Sequence, residues 1–309
     1  MTESVAAPRR PWLAALLNLL IPGLGHLYAG ASNGAAVWFF LPVVALIIVD
    51  GAVLSLPPSV LLVLLFWGIP LGMYILQGVS GWRAARRAAV PFAPTPLNHW
   101  YWYLGFAAVS GILYSFVVGP YVRAHFVQAF RIPSEGMSPT LIVGDFVIMD
   151  RRATTVAEFH VGDLVAFRSV EEPELQVLKR VAGVAGDTLQ MKGGALIRNW
   201  VRQEDDPFYD SAAPQPLDAP RLANALRWQI PTFAGPVPRK YTPDPSNWGP
   251  IVVPSGHFFT LGDNRNQSWD SRDYGFVPDS SVVGRPRLIF WNKSFADSGM
   301  FARVGTAPK

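Results

Sequence analysis

Hydrophobic positions crowd the first 130 residues of this 309-residue chain, and they come in long unbroken runs. Three of them, at about 31–49, 59–79 and 101–122, reach the roughly 20 apolar residues that a helix needs to cross a bilayer. Trp100, Tyr101, Trp102 and Tyr103 open the third run as an aromatic belt of the kind that settles at a membrane–water interface. An earlier apolar stretch, 12–28, is interrupted by Pro22, Gly23 and Gly25, which break a continuous helix. It predicts a re-entrant or interfacial hairpin, with a fourth crossing as the alternative. Arg9-Arg10 before it and Ala29-Gly30-Ala31 after it trace the outline of a removable signal peptide. The Pro-Gly break shortens that apolar core, and further spans follow directly, which argues against removal.

Beyond about residue 127 the period changes. Short segments at 141–149, 163–167, 177–184, 251–261 and 282–291 cluster or alternate β-branched and aromatic residues. Gly-Asp pairs at 144–145, 162–163 and 186–187 punctuate them, so they read as strands separated by turns. Between about 193 and 250 the chain turns rich in proline and charge, including Glu204-Asp205-Asp206-Pro207, and predicts a loop-rich insertion. The pattern divides the chain into a membrane region, 1–126, and a mainly-β domain, 127–309.

Charge sharpens this division. Residues 1–130 hold six arginines (9, 10, 83, 86, 87 and 123) against Glu3 and Asp50, a net of +4, whereas residues 131–309 sum to zero. The excess positive charge therefore belongs to membrane flanks, and nucleic-acid binding is excluded as a reading. With 12–28 not crossing, Arg9 and Arg10 share the cytoplasmic side with Arg83, Arg86 and Arg87, and the third span delivers the β domain to the outer face. The chain has no cysteine, which removes disulfides, thiolate metal sites and cysteine nucleophiles. His160 and His257 stand alone without metal-ligand spacing, so neither a metal nor a cofactor is expected. His26 and Asp50 read as lone polar residues near membrane boundaries.

Three blocks carry the candidate chemistry: Arg131-Ile132-Pro133-Ser134-Glu135-Gly136-Met137-Ser138-Pro139-Thr140-Leu141, then 178–187 beginning Leu178-Lys179-Arg180, then Gly262-Asp263-Asn264-Arg265-Asn266-Gln267-Ser268-Trp269-Asp270-Ser271-Arg272. Lys179 lies in an apolar strand, where burial lowers a lysine's pKa and makes it a base; on spacing alone an edge lysine reaching to water is the favoured reading. In order and spacing the blocks resemble bacterial signal peptidase I, a family of membrane-anchored serine–lysine proteases. The resemblance implies a membrane protein with N-terminal transmembrane helices and a C-terminal mainly-β signal-peptidase-like catalytic domain. It places the chain in the bacterial inner membrane, with the globular domain on the periplasmic face, where it removes signal peptides from exported preproteins. It also implies roles: Lys179 as general base, Ser268 as the hydroxyl that orients it, and Asp270 with Arg272 as a supporting ion pair. Asp263 and Asn264 form the turn before them, Ser134 assists the oxyanion hole, and Ile132, Pro133 and Met137 line the substrate site.

The chain departs from the family at the residue that matters most, since Gly136 stands where the attacking serine belongs. Its backbone N–H can still donate to an oxyanion. In an extended chain Ser134, Gly136 and Ser138 share one face, each serine roughly 6.5–7 Å from Gly136, and Ser134 is the stronger substitute because Ser138 is held by Pro139. A displaced serine, a water activated by Lys179, and a catalytically silent relative that binds preproteins or a membrane partner all remain open.

Overall fold

The computed structural model describes residues 8–88, 90–120, 127–152, 159–203, 217–292 and 303–308. The chain separates into two compact units, Met1–Val127 and Gln128–Lys309.

The first unit is helical. Helix α1 (Pro11–Leu20) starts on proline, whose missing N–H costs nothing there, and the chain turns at Gly23 (φ +92°) into α2 (Leu24–Tyr28). The expected interruption is therefore a real corner between two short helices. Helices α3 (Ser32–Ser55) and α4 (Val60–Arg87) and the helical stretch Trp100–Val118 are each long and apolar enough to cross a membrane. The last comprises α5 (Trp100–Ile112) and a π-helical continuation, Leu113–Val118. Helices α3 and α4 run past the sequence limits of 49 and 79, because apolar patterning marks the hydrocarbon-facing part and not the helix ends.

His26 is not a lone boundary residue. Its Nε2 lies 3.0 Å from Ser80 Oγ, and its Nδ1 lies 3.0 Å from Asn18 Nδ2. Asn18 Oδ1 accepts from Gly25 N–H at 2.8 Å, and Trp38 Nε1 donates to Ser80 Oγ at 2.8 Å. Gly25 and Gly81 both lie against Ala14 O, so α1, α2 and α4 pack at backbone distance around this polar knot.

The second unit is mainly β. A seven-stranded sheet has the order β1-β2-β11-β3-β4-β9-β10. Its strands are β1 (Val127–Arg131), β2 (Asp145–Asp150), β3 (Leu164–Arg168), β4 (Gln176–Gly183), β9 (His257–Leu261), β10 (Val277–Pro278) and β11 (Val282–Asn292). A four-stranded sheet, ordered β7-β6-β5-β8, contains β5 (Thr188–Lys192), β6 (Ala195–Arg198), β7 (Val201–Arg202) and β8 (Trp248–Val252). One core packs Leu141, Val147, Met149, Leu164 and Ile289 beneath the large sheet, and another packs Leu189, Met191, Trp248, Ile251 and Phe259 against the small one.

Two expectations change here. The insertion is less loop-like than its prolines suggest, because α6 (Ala219–Gln229) occupies part of it, with Asp218 capping its first turn. The segment after β1 is not strand. Residues 134–140 bend and turn, so Ser134, Gly136 and Ser138 do not share a face by period two. Leu141 N–H reaches back to Met137 O at 2.8 Å and Ser138 N–H to Glu135 O at 2.9 Å, bonds that an extended chain cannot make.

Candidate active site

Three pieces of chain converge. The first is the loop from Ile132 to Gly144, closed at its base by Ile132 N–H to Asp145 O (2.8 Å) and Gly144 N–H to Ile132 O (3.0 Å). Asp145 is buried beneath it and accepts from Ile142 N–H, Asn292 Nδ2 and Arg303 Nη2. Arg303 also donates to the carbonyls of Pro139 (3.3 Å) and Thr140 (2.8 Å), clamping the loop from a position far along the chain.

The second piece is β4, an inner strand between β3 and β9, which carries Lys179 opposite Val165. β9 pairs with β4 only from Arg180 onward, so Lys179 stands where that pairing begins, and its side chain is only 6% exposed. Burial lowers its pKa from the ordinary lysine value, Arg272 acts in the same direction, and the Asp270 and Asp263 carboxylates oppose them. Its Nζ donates to Ser268 Oγ at 2.8 Å.

The third piece is the 262–272 loop. Asp270 is fully buried, and Arg272 meets it with two parallel N–H donations of 2.9 Å, while Gly262 N–H adds a third, also of 2.9 Å. Burial alone would raise the Asp270 pKa, but Arg272, Lys179 and these donors hold it at about 2. Asp270 also opens α7 (Ser271–Tyr274) in a capping box with Asp273. Asp263 pairs with Arg180, and Asn264 N–H donates to Gly136 O at 3.2 Å, which ties this loop to the first. Gly262 is required by close approach: a Cβ there would lie 2.6 Å from Gly136 O and closer still to Ser268 Oγ and Cβ.

Gly136 is buried at the meeting point. A Cβ built on it would sit 3.2 Å from Lys179 Nζ, 3.6 Å from Gln267 O and 3.7 Å from Ser268 Cα. The backbone therefore aims position 136 at the lysine, as a serine–lysine pair requires, although the residue carries no hydroxyl.

A cleft of about 790 Å³ runs past this point, with Phe130, Pro133, Ser134, Gly136, Lys179 and Trp269 among its walls. Ile132 and Met137 line it too, yet both are nearly buried in the core, so they form its floor and are not free contacts. Glu171, Glu172 and Glu174 stand along one stretch of the wall, and Glu171 accepts from Trp269 Nε1 at 2.7 Å. Among the described residues no group of three or more His, Asp or Glu is placed to hold a metal.

The structure thus brings Lys179, Gly136, Ser268, Asp270, Arg272, Asp263 and Asn264 together, and it sets Ser134, Pro133, Ile132 and Met137 on the adjoining cleft. Sequence reasoning missed the second layer. Arg221 of α6 donates to Asp273 and stacks over Trp269, and Asn224 donates to Asp273 O. Their only advance signal was the Asp218–Pro220 helix start, hidden among the prolines.

Comparison with known proteins gives the family. The family described as signal peptidase, peptidase S26 matches residues 105–291. A signal peptidase I from Leptolyngbya laminosa is 30% identical over 211 residues, which cover 66% of this chain and 84% of that protein. One from Pseudomonas aeruginosa is 28% identical over 218 residues, covering 60% of this chain and 72% of that protein. A crystal structure of a signal peptidase I from Enterococcus faecalis matches at 30% identity over 41% of this chain and 96% of that chain, with a TM-score of 0.26.

Proposed function

The chain belongs to the signal peptidase family, peptidase S26, and from that membership we propose that it is a signal peptidase I-type endopeptidase that removes signal peptides from exported preproteins. The observation that carries the reading is the buried Lys179, held by Ser268 at 2.8 Å, its Nζ 3.2 Å from where a side chain at 136 would begin. A lysine kept from water and oriented by a hydroxyl is a base at a pH where an exposed lysine is a cation. The Asp270–Arg272 pair gives that hydroxyl a fixed seat.

The substrate lies extended in the cleft, between the 130–137 segment and the start of β4, and pairs with it by main-chain hydrogen bonds. The apolar floor of Ile132, Met137 and Leu178 suits short apolar side chains such as alanine. Gly136 N–H and the Ser134 hydroxyl are the donors for the oxyanion that develops as the carbonyl is attacked.

The helices α3 and α4 and the stretch Trp100–Val118 cross the bacterial inner membrane, with 12–28 as a hairpin at the cytoplasmic side. Residues 127–309, including the 193–250 insertion, form the catalytic domain on the periplasmic face. The support is charge: Arg9, Arg10, Arg83, Arg86 and Arg87 then lie together inside, and the 50–58 loop, without Lys or Arg, lies outside.

The test is a preprotein carrying Ala-x-Ala before its cleavage point, given to the full-length protein in detergent micelles. A single cut after the second alanine is expected, and replacing that alanine with tryptophan is expected to stop it. Cutting that ignores the replacement overturns the substrate assignment.

A further inference from the structure

We infer that the attacking group is a water molecule, seated against Gly136 and deprotonated by Lys179; the inference rests on the endopeptidase reading above. An attacking oxygen must lie about 3 Å from both the base and the scissile carbonyl carbon, so it must touch Lys179 Nζ and also open on the cleft.

No serine of the site meets both conditions. Ser268 Oγ touches Nζ at 2.8 Å, but it packs directly against Gly262 and is not part of the cleft wall. Ser134 is on the cleft wall, yet among the described residues the hydroxyl bonded to Lys179 is that of Ser268. Ser138 lies on the far arm of the turn, its N–H bonded to Glu135 O, and is not part of the wall.

The space that a side chain at 136 would fill meets both conditions, because Gly136 and Lys179 both line the cleft and such a side chain would begin 3.2 Å from Nζ; a water there stands further out than a bonded Cβ, in van der Waals contact with Gly136. An ordered water needs two or more polar partners. In that space the Lys179 Nζ lone pair accepts from it, and the next polar atom is the carbonyl oxygen of Gln267, 3.6 Å from the Cβ position. Lys179 keeps one N–H on Ser268, which turns its lone pair away from Ser268.

The steps balance without an enzyme-bound intermediate. The water oxygen forms the C–O bond as one of its protons passes to neutral Lys179 Nζ and the carbonyl electron pair moves to oxygen, where Gly136 N–H receives it. Collapse of the oxyanion breaks the C–N bond, and the leaving nitrogen takes the proton back from the Lys179 ammonium. The products are the signal peptide acid, which ionises in solvent, and the mature protein's free amine. Lys179 ends neutral.

The experiment compares the full-length protein with Gly136→Ser and Lys179→Ala, on the same Ala-x-Ala preprotein. Acid-quenched samples are weighed intact by mass spectrometry, and a large peptide amine is added as a competing acceptor. A covalent acyl-enzyme yields an adduct on the chain and a transpeptidation product; direct water attack yields neither. Expected is lysine-dependent cleavage by the native chain with no adduct and no transfer, and both signals in Gly136→Ser. An adduct on the native chain, mapped to Ser134, Ser138 or Ser268, overturns the inference. So does cleavage by Gly136→Ser but not by the native chain, which leaves the substrate reading standing. If neither chain cuts, the endopeptidase reading itself falls.

Discussion

Gly262→Ala is the smallest change that tests how the site is held. Gly262 does not need a left-handed backbone, so alanine is conformationally allowed and the whole effect is steric. The new methyl group would stand 2.6 Å from Gly136 O and closer still to Ser268 Oγ and Cβ, whereas ordinary contacts between such atoms lie at about 3.5–4.0 Å. Rotating the serine does not relieve it, because Ser268 Cβ is itself too close. Gly262 cannot retreat cheaply either, with its N–H on Asp270 (2.9 Å) and its carbonyl on Arg265 Nε (3.0 Å). Ser268 must move by about 1 Å or more, which carries its hydroxyl out of reach of Lys179 Nζ. Overpacking of this kind costs about 1–3 kcal/mol of stability, and a displacement of about 1 Å in a positioning group lowers turnover about 100-fold. Preprotein cleavage under saturating substrate, beside the urea midpoint of the purified protein, separates the two effects. A variant that folds and turns over within about threefold of the native rate would refute the claim that Ser268 holds the base.

Cleavage should rise with pH as Lys179 gives up its proton, with an apparent midpoint below the ordinary lysine value of 10.5, read from kcat/KM profiles; a rate that falls as pH rises contradicts a lysine base. Asp270 has a folded pKa of about 2 against 3.8 for the free side chain, so its contribution to stability is present above about pH 4 and is lost as pH falls towards 2. Asp270→Asn should remove that acid-range slope in denaturant titrations, and it should cost about 3–5 kcal/mol at neutral pH because Arg272 stays buried without its partner. An unchanged slope would count against the pair as the origin of the acid sensitivity. Arg303→Ala takes the cation from buried Asp145 and two donors from the Pro139 and Thr140 carbonyls, and should lower stability by about 1–3 kcal/mol; an unshifted urea midpoint would show that the clamp is idle.

How much of this was readable beforehand divides by sequence distance. Lys179, Ser268, Asp270 and Arg272 stand in short blocks whose resemblance to the signal peptidase family implied their roles, while spacing alone left Lys179 an ordinary edge lysine; the structure assembles them. The apolar runs marked the three long helices because the capacity to cross a bilayer asks for length and hydrophobicity alone. The conformation of 134–140 was misread as extended because period-two reasoning assumes a strand, while here the loop is set by Asp145 and Arg303, the latter 158 residues away. Arg221 was invisible for the same reason: it meets Asp273 across 52 residues, and a lone arginine in a proline-rich segment carries no pattern. His26 looked unpartnered because Ser80 lies 54 residues further on, two helices along the chain. Gly262 could be named from the sequence as part of a turn, but its need to be glycine comes from Ser268 folding back on it, which only the structure reveals.

The central claim is that a buried lysine does the base chemistry of a peptidase whose usual serine position is Gly136. Its most direct test is cleavage of an Ala-x-Ala preprotein by the purified full-length protein, run beside Lys179→Ala with both proteins verified as folded. A cut by the native chain is expected, with a loss of about 10²–10⁴-fold in the variant. Equal cleavage by the two proteins would contradict it.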